Sequence, residues 1–184
     1  MPASTRSAPA VIVAHTADLD AATLRAARTL LEVVFGASMT AQAWDHALGG
    51  IHALVWEGPE LVGHASVIQR RLLHRGRALR AGYVEAVAVR PDRRRQGYAA
   101  AMMEQVERVV RGAYELGALG ASELGAGLYA ARGWRAWAGR TWGLTPSGPV
   151  RTADGDGDVY VLETGVRLDL TGDLTCDWRE GELW

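Results

Sequence analysis

The densest chemistry in the 184-residue chain lies in the run Val87-Ala-Val-Arg-Pro-Asp-Arg-Arg-Arg-Gln-Gly-Tyr-Ala99. It opens as an apolar strand, passes through a basic turn and places Arg94-x-x-Gly97-x-Ala99 where a helix begins. The first turn of a helix carries free backbone N–H groups and the positive end of the dipole. Gly97 has no side chain to keep an anion off the backbone, and Arg93, Arg94 and Arg95 add charge. Together these features suit phosphate groups. All 20 basic residues are arginine, so Schiff-base chemistry and the P-loop lysine are excluded. A dinucleotide fingerprint, Gly-x-Gly-x-x-Gly, would also need a following parallel strand with an acidic residue near its end.

Other reactive side chains admit two readings each. Tyr129, in Leu128-Tyr129-Ala-Ala-Arg-Gly133-Trp134, is either a proton donor or a core aromatic. Glu85 is the one charge inside an apolar strand, and is either a general base or half of an ion pair with an arginine. The single cysteine, Cys176, excludes an internal disulfide and a cysteine-based zinc site, and reads as a small buried thiol. Asp154, Asp156 and Asp158 fit the first positions of a calcium loop, but Val159 and Gly165 stand where glycine and glutamate are required. The five histidines have no paired metal spacing and read as core or hydrogen-bonding residues, so no metal site is expected.

These residues need a framework to position them. Hydrophobic periodicity predicts strands at Val11–His15, Ile51–Trp56, Leu61–Leu73, Ala78–Arg90, Leu116–Ala121, Trp134–Leu144 and Val159–Leu162. Helices are expected over Ala21–Phe35, Thr40–Leu48, Arg94–Gly112 and Leu124–Arg132, and the last twenty residues read as tail. The order is β-α-α-β-β-β-α-β-α-β-β, an α/β (α+β) arrangement. Ala78–Arg90 is apolar on both faces in its second half, as a central strand is.

Composition fits one soluble domain over residues 1–184, with 48% apolar and 22% charged residues. No apolar run approaches the ~18 residues of a membrane span, and the first fifteen residues lack a signal peptide's long apolar stretch. A cytoplasmic protein without membrane association is expected. The net charge of −1 conceals a division: residues 1–151 carry 18 Arg against 12 acids, and residues 152–184 carry two Arg against nine acids. That division suggests an anionic ligand on the first part and a cationic one near the tail. Nucleic acid is not expected, because the basic turn is short and the overall charge negative.

The two motifs, at Arg94–Ala99 and Leu128–Trp134, together resemble the signatures of the GCN5-related N-acetyltransferases (GNAT), over about residues 8–145. The resemblance implies the GNAT fold, a central mixed, mostly antiparallel sheet flanked by helices. It implies acetyl-CoA as co-substrate, held by a core over about residues 80–137. The backbones of Val87, Ala88 and Val89 would hold the pantetheine, and the amides of Arg94, Arg95, Gln96, Gly97, Tyr98 and Ala99 the pyrophosphate. An N–H near Val87 would face the thioester oxygen, and Tyr129 would protonate the departing thiolate. Ser122 stands where the family often has asparagine, and its hydroxyl can still reach the pantetheine.

A closer resemblance spans nearly the whole chain. Trp44-x-His46-x-Leu-Gly-Gly-x-His52, His64-Ala-x-Val-Ile-Gln-Arg-Arg71, Gly82-Tyr-Val-Glu85, Arg111-Gly-Ala-Tyr-x-Leu-Gly-Ala118 and Cys176-Asp-Trp-Arg-x-Gly-x-x-Trp184 are similar to the aminoglycoside 2′-N-acetyltransferases of actinobacteria. This implies direct transfer of an acetyl group to the 2′-amine of a polycationic antibiotic, with Glu85 as base. It implies drug contacts from Ser38, Asp154, Asp156, Glu182 and Trp184 in an acidic acceptor region over 152–184, and a homodimer. Ser38 replaces an acidic contact, Gly120 a small hydroxyl residue, and Gly155 interrupts a denser acidic run. The pocket could therefore prefer other drugs, kasugamycin included. The remaining alternatives are a polyamine or protein N-terminus as acceptor, or a non-catalytic acyl-CoA sensor.

Overall fold

The structure, a computed structural model, describes residues 10–184. In chain order these residues form β1 (Ile12–His15), α1 (Ala21–Phe35), α2 (Ala41–His46), β2 (Ile51–Glu57), β3 (Glu60–His74) and β4 (Arg77–Val89). Then come α3 (Tyr98–Ala113), β5 (Leu116–Gly120), α4 (Glu123–Ala131), β6 (Arg135–Ala136), β7 (Thr141–Gly143), β8 (Val150–Arg151), β9 (Val159–Glu163) and β10 (Leu174–Cys176). One sheet takes all ten strands, with the path β6-β9-β5-β4-β3-β10-β7-β8 and with β1 and β2 attached to β3. Only β4–β5 and β10–β7 pair in parallel. The expected mixed, mostly antiparallel sheet is present.

Period-2 alternation divides the core. Leu79, Ala81 and Tyr83 of β4, with Leu116, Ala118, Val159 and Val161, pack on the face shared with Leu174 and Cys176. Val84, Leu119 and Leu162 point the other way, against Met102, Met103, Val106 and Val110 of α3. Helix α3 lies close on this face. A Cβ at Gly82 would stand 2.6 Å from the Tyr114 ring, and one at Gly117 would stand 2.8 Å from Trp134. Helix α1 spans the expected residues, because the Asp20 carboxylate caps it by accepting from the Thr23 N–H at 2.7 Å, and Gly36 ends it at φ 57°.

Three expectations are corrected. The helix expected from Arg94 begins at Tyr98, because Arg95 and Gly97 take left-handed conformations (φ 60° and 86°) that no right-handed helix can contain. The strand expected over Trp134–Leu144 is broken into β6 and β7. Between them the Trp137 N–H bonds to the Val159 carbonyl, and the Ala138 and Gly139 N–H groups bond to that of Leu170. The chain thus crosses from β6, at one end of the sheet, to β7, near the other. Five peptide steps span at most about 17 Å, so the sheet is strongly curled. Finally, the tail is not outside the fold: β10 pairs with both β3 and β7.

The central hairpin carries a bulge. Ser66 faces Glu85 and His64 faces Ala88, so Ala86 and Val87 together oppose Ala65. Ala86 sits at φ 51°, unusual for a residue with a Cβ. Behind it run two fully buried histidines. Thr16 Oγ1 meets His52 Nε2 at 2.7 Å, His52 Nδ1 meets His64 Nε2 at 3.0 Å, and His64 Nδ1 meets the Ala86 carbonyl at 2.9 Å. Burial depresses both imidazoles to about 4. The unfolded chain therefore binds these protons first as the pH falls below about 6.5. The stability they contribute is fully present above pH 6.5 and is lost as the pH falls toward 4, on the order of 3 kcal/mol per ring. Urea unfolding at pH 7.5 and pH 5 should show this loss, and a His52→Gln/His64→Asn double variant should lose clearly less over the same interval.

Candidate active site

Strand β4 pairs with β5 at only three positions, Ala81–Leu116, Gly82–Gly117 and Tyr83–Ala118, and then the two strands part. The gap opens beside the bulge. It forms a cleft of about 650 Å³ lined by Glu85, Ala86, Val87, Ser122 and Tyr129 from the sheet side, and by Ser38, Arg179, Glu182 and Trp184 from the surrounding segments. A second compartment of about 820 Å³ adjoins it through Gly120, Ser122, Glu182 and Trp184, and adds Asp154, Gly155 and Asp158. Of the expected site residues, Ser38, Glu85, Val87, Ser122, Tyr129, Asp154, Glu182 and Trp184 line these two compartments; Ala88, Val89, the 94–99 turn and Asp156 do not.

The basic turn follows directly on β4. Arg90 pairs with Glu60 and Asp92, and Arg93 with Glu57 and Asp92, so these two are neutralised structurally. Arg94 and Arg95 are exposed and form no ion pair among the described residues. Gly97 is the N-cap of α3 and, having no side chain, makes no capping hydrogen bond to the first turn. A Cβ on Gly97 would meet nothing within 4 Å; its φ of 86° is what calls for glycine. Ser122 is the N-cap of α4, but its hydroxyl makes no capping bond and is available to the cleft. Ala88 is buried and Val89 half-buried, so both can offer only main chain to a ligand.

Tyr129 is 7% exposed, with its ring near Trp134 and Tyr160. Burial pushes its hydroxyl up to about 12, so it keeps its proton at any physiological pH. Its position depends on a group that the sequence reading missed. Glu107 of α3 is buried and accepts from Arg132 at 2.7 and 2.9 Å and from the Trp134 indole at 3.0 Å, locking the end of α4 onto α3. An acid on the apolar face of a helix was the available signal.

Glu85 is almost buried, on the same sheet face as Tyr83. Desolvation raises its pKa, and the Arg179 guanidinium bound to Oε1 acts against that rise. The ion pair with an arginine, left open by the sequence, is present, with Arg179 as partner. Oε2 accepts no hydrogen bond from the described residues. Arg179 was missed too, although it is one of only two basic residues after Arg151. The Tyr83 ring lies 4.7 Å from the Arg70 guanidinium and 5.3 Å from that of Arg179, and its buried hydroxyl has no partner.

The acidic tail divides into two sets. Asp156, expected to contact substrate, lines neither compartment: it accepts from the Thr141 N–H and hydroxyl, both at 2.9 Å, and pairs with Arg151, which holds its carboxyl far below the usual range. Glu163, Asp169, Asp173 and Asp177 pair with Arg135, Arg75, Arg140 and Arg70. Asp154, Asp158 and Glu182 form no ion pair among the described residues, and all three line the larger compartment. Asp158, and not Asp156, lines that compartment. Trp184 is held by its indole N–H to Thr152 Oγ1 at 2.8 Å. Cys176 is buried against the Leu183 carbonyl, and burial raises its thiol, as expected of an inert core residue.

A parted parallel strand pair, a bulge and a glycine-capped helix after a basic turn define an acyl-CoA-type transferase scaffold. The family profile described as acetyltransferase (GNAT) domain matches residues 16–137. The chain is 49% identical to an aminoglycoside 2′-N-acetyltransferase of Mycolicibacterium fortuitum, over 92% of this chain and 89% of that one. Among solved structures, Escherichia coli ElaA superposes with a TM-score of 0.62 at 19% identity, over 84% of this chain and 99% of that one. A GNAT family acetyltransferase from Brucella melitensis, solved with acetyl-CoA, superposes with a TM-score of 0.60 at 15% identity, over 90% and 94%. The chain belongs to the GNAT acetyltransferase family.

If Arg94 and Arg95 are the cations left for phosphate, Arg94→Ala and Arg95→Ala should each weaken CoA binding about three- to tenfold, less so at 0.5 M salt. Arg90→Ala, whose charge is already matched, should change it little. Calorimetric titration with CoA separates the two classes.

Proposed function

We propose that this protein transfers the acetyl group of acetyl-CoA to the 2′-amino group of aminoglycoside antibiotics, and thereby confers resistance. One observation carries the reading. A single cleft brings the Val87 peptide, Glu85 and Tyr129 together and opens into a compartment lined by three unpaired acids. The 49% identity to an enzyme of that name supports the acceptor.

Acetyl-CoA supplies an acyl thioester whose carbonyl carbon is the site of attack. Its phosphates suit the α3 amides with Arg94 and Arg95, and its pantetheine suits the edge of β4 from Val87 to Val89 and the Ser122 hydroxyl. The acceptor arrives as a polycation, attracted by Asp154, Asp158 and Glu182. Trp184 offers an indole face for a sugar ring, and Ser38 a hydroxyl. An ammonium must lose a proton before it can attack. Oε2 of Glu85 receives that proton, directly or through a water, and desolvation makes the carboxylate a better base. As the C–N bond forms, the Val87 N–H faces the oxygen that gains negative charge. As the C–S bond breaks, the Tyr129 hydroxyl gives its proton to the sulfur and later recovers one from the acylated nitrogen. No covalent enzyme intermediate is needed, and Cys176 lies buried against Leu183.

In this reading residues 80–137 serve acetyl-CoA and residues 152–184 the acceptor, within one cytoplasmic domain that works as a homodimer. The half-exposed apolar side chains Val33, Phe35 and Trp178 supply surface for such pairing.

Thiol release from acetyl-CoA with tobramycin, followed by mass spectrometric mapping, should place the acetyl group on the 2′-nitrogen. Acetylation only of spermidine or of a peptide N-terminus would instead assign another amine. Tyr129→Phe should lower kcat about a hundredfold with little change in KM for acetyl-CoA. The wild-type rate should not fall between pH 8 and pH 10, since Tyr129 is still protonated there.

A further inference from the structure

We infer that His64 is a positioning residue for acyl transfer: its Nδ1–H clamps the Ala86 carbonyl and so aims the N–H of the same peptide unit, that of Val87, at the thioester. This rests on the acyl-transfer reading above, and adds to it a cause for the geometry of its main-chain donor.

The argument begins with proton positions. A carbonyl only accepts, so the 2.9 Å contact to Ala86 places the His64 proton on Nδ1. In the neutral ring Nε2 must then accept, and His52 Nδ1 donates to it at 3.0 Å. His52 Nε2 is left as an acceptor for the Thr16 hydroxyl at 2.7 Å. That hydroxyl in turn accepts from the Gly49 N–H at 2.9 Å. The Thr16 hydroxyl also lies 3.3 Å from the Gly50 carbonyl, a second acceptor for its one proton, but both imidazole donors point toward the bulge. The direction is fixed because its last acceptor has no proton to give.

The last acceptor matters because a trans peptide is planar, with its C=O and N–H opposed. A bond that holds the Ala86 oxygen toward the buried histidine turns the Val87 N–H the other way, toward the cleft that Ala86 and Val87 line. The bulge needs such a clamp. Ala86 and Val87 fall outside the β3–β4 register, and Ala86 is in the left-handed region, where a residue with a Cβ is not held by its own preference. A hydrogen bond accepted by the carbonyl also polarises the peptide and strengthens its N–H as a donor. Both rings are fully buried and remain neutral, so the clamp does not switch within the working pH range. The groups around it are His15 at the end of β1, Thr16 just after it, His52 on β2 and Glu85 on β4; Glu85 is paired through Oε1 with Arg179.

Two substitutions separate the clamp from the rest of the chain. In His64→Asn the side-chain amide can take the place of Nδ1 and donate to Ala86, but cannot reach His52. In His64→Gln the amide can reach His52, but its donor lies too far out for Ala86. The inference expects His64→Gln to lower kcat at least tenfold with the Kd for CoA unchanged, because CoA lacks the acetyl oxygen, and expects His64→Asn to restore most of the rate. Equal activity of the two variants, or a parallel loss of CoA affinity, would show a structural role alone and overturn it. The wild-type protein gives a second test that needs no variant to fold and no acceptor to be known. ¹⁵N spectra of the imidazoles should show both rings neutral and protonated at Nδ1 from pH 5.5 to 8. An Nε2–H tautomer at His64 would overturn the inference. Failure of the wild type to acetylate any aminoglycoside would count against the acceptor alone, since the tautomers are read without one.

Discussion

The parting of β4 from β5 is the constraint on which the site depends. Two neighbouring parallel strands normally satisfy each other's backbone groups along their shared length. Here they do so at three positions and then separate, so the edge of β4 from Val84 onward is offered to a ligand. Such an edge is tolerable only if something else fixes the strand. Strand β3 does so on the other side, with eleven facing pairs from Gly63–Val89 to His74–Arg77. Helix α3, with the Tyr114 and Trp134 rings beside it, closes over one face of the sheet, tightly enough to require glycine at 82 and 117. The Glu107–Arg132–Trp134 cluster then anchors α4, and with it Tyr129, at the far wall of the gap.

Much of this was legible in the sequence because it is local. The cap at Asp20 and the terminator at Gly36 set α1 to the residue. Alternation along Ala78–Arg90 identified the central strand, and the glycine and arginines after it identified the anion-binding turn. What the sequence withheld is non-local. The start of α3 moved to Tyr98 because Arg95 and Gly97 adopt left-handed conformations that propensity does not report for arginine. The break at Trp137–Arg140 answers hydrogen bonds to Val159 and Leu170, which no periodicity in that segment encodes. β10 forms because Thr175 and Cys176 find β3 a hundred residues earlier. The histidines were read as core or hydrogen-bonding residues, and they are; that two of them form one directed chain ending at the bulge depends on β2 and β3 lying side by side.

The partition of charge shows why net charge is a blunt guide to a site. The sequence has a basic first part and an acidic last part, and each suggests a ligand of opposite sign. Most of those charges answer each other in the fold. Five of the nine acids after Arg151 pair with arginines, and those carboxylates hold the tail in place. Pairs that are exposed contribute little energy. Arg70 is different: it is 3% exposed, binds Asp177, and donates to the Leu183 carbonyl at 2.7 Å, fixing the segment that bears Arg179, Glu182 and Trp184. Among the described charged residues that form no ion pair, five lie at the basic turn and the larger compartment. Arg94 and Arg95 lie at the helix start, and Asp154, Asp158 and Glu182 lie around the acceptor compartment.

Arg179 is the informative exception, a cation inside the acidic half. It binds the carboxylate of Glu85 and donates to the Glu182 carbonyl at 2.7 Å, which in the proposed mechanism puts it between the base and the tail, where a substrate cation would enter. Its charge has two opposed effects on an incoming amine. It repels the ammonium form, which raises the affinity demanded of Asp154, Asp158 and Glu182. It also disfavours the proton that the amine must lose before attack, since a like charge lowers the pKa of an ammonium group. A carboxylate alone would bind the acceptor more firmly but would hold it protonated and unreactive. Placing a guanidinium on Oε1 while Oε2 stays open lets one residue attract a cation and still accept its proton. In the proposed mechanism the acids that recruit the polycation therefore line the outer compartment, and the mixed pair of Glu85 and Arg179 lies beside the bulge, where that mechanism requires neutral nitrogen.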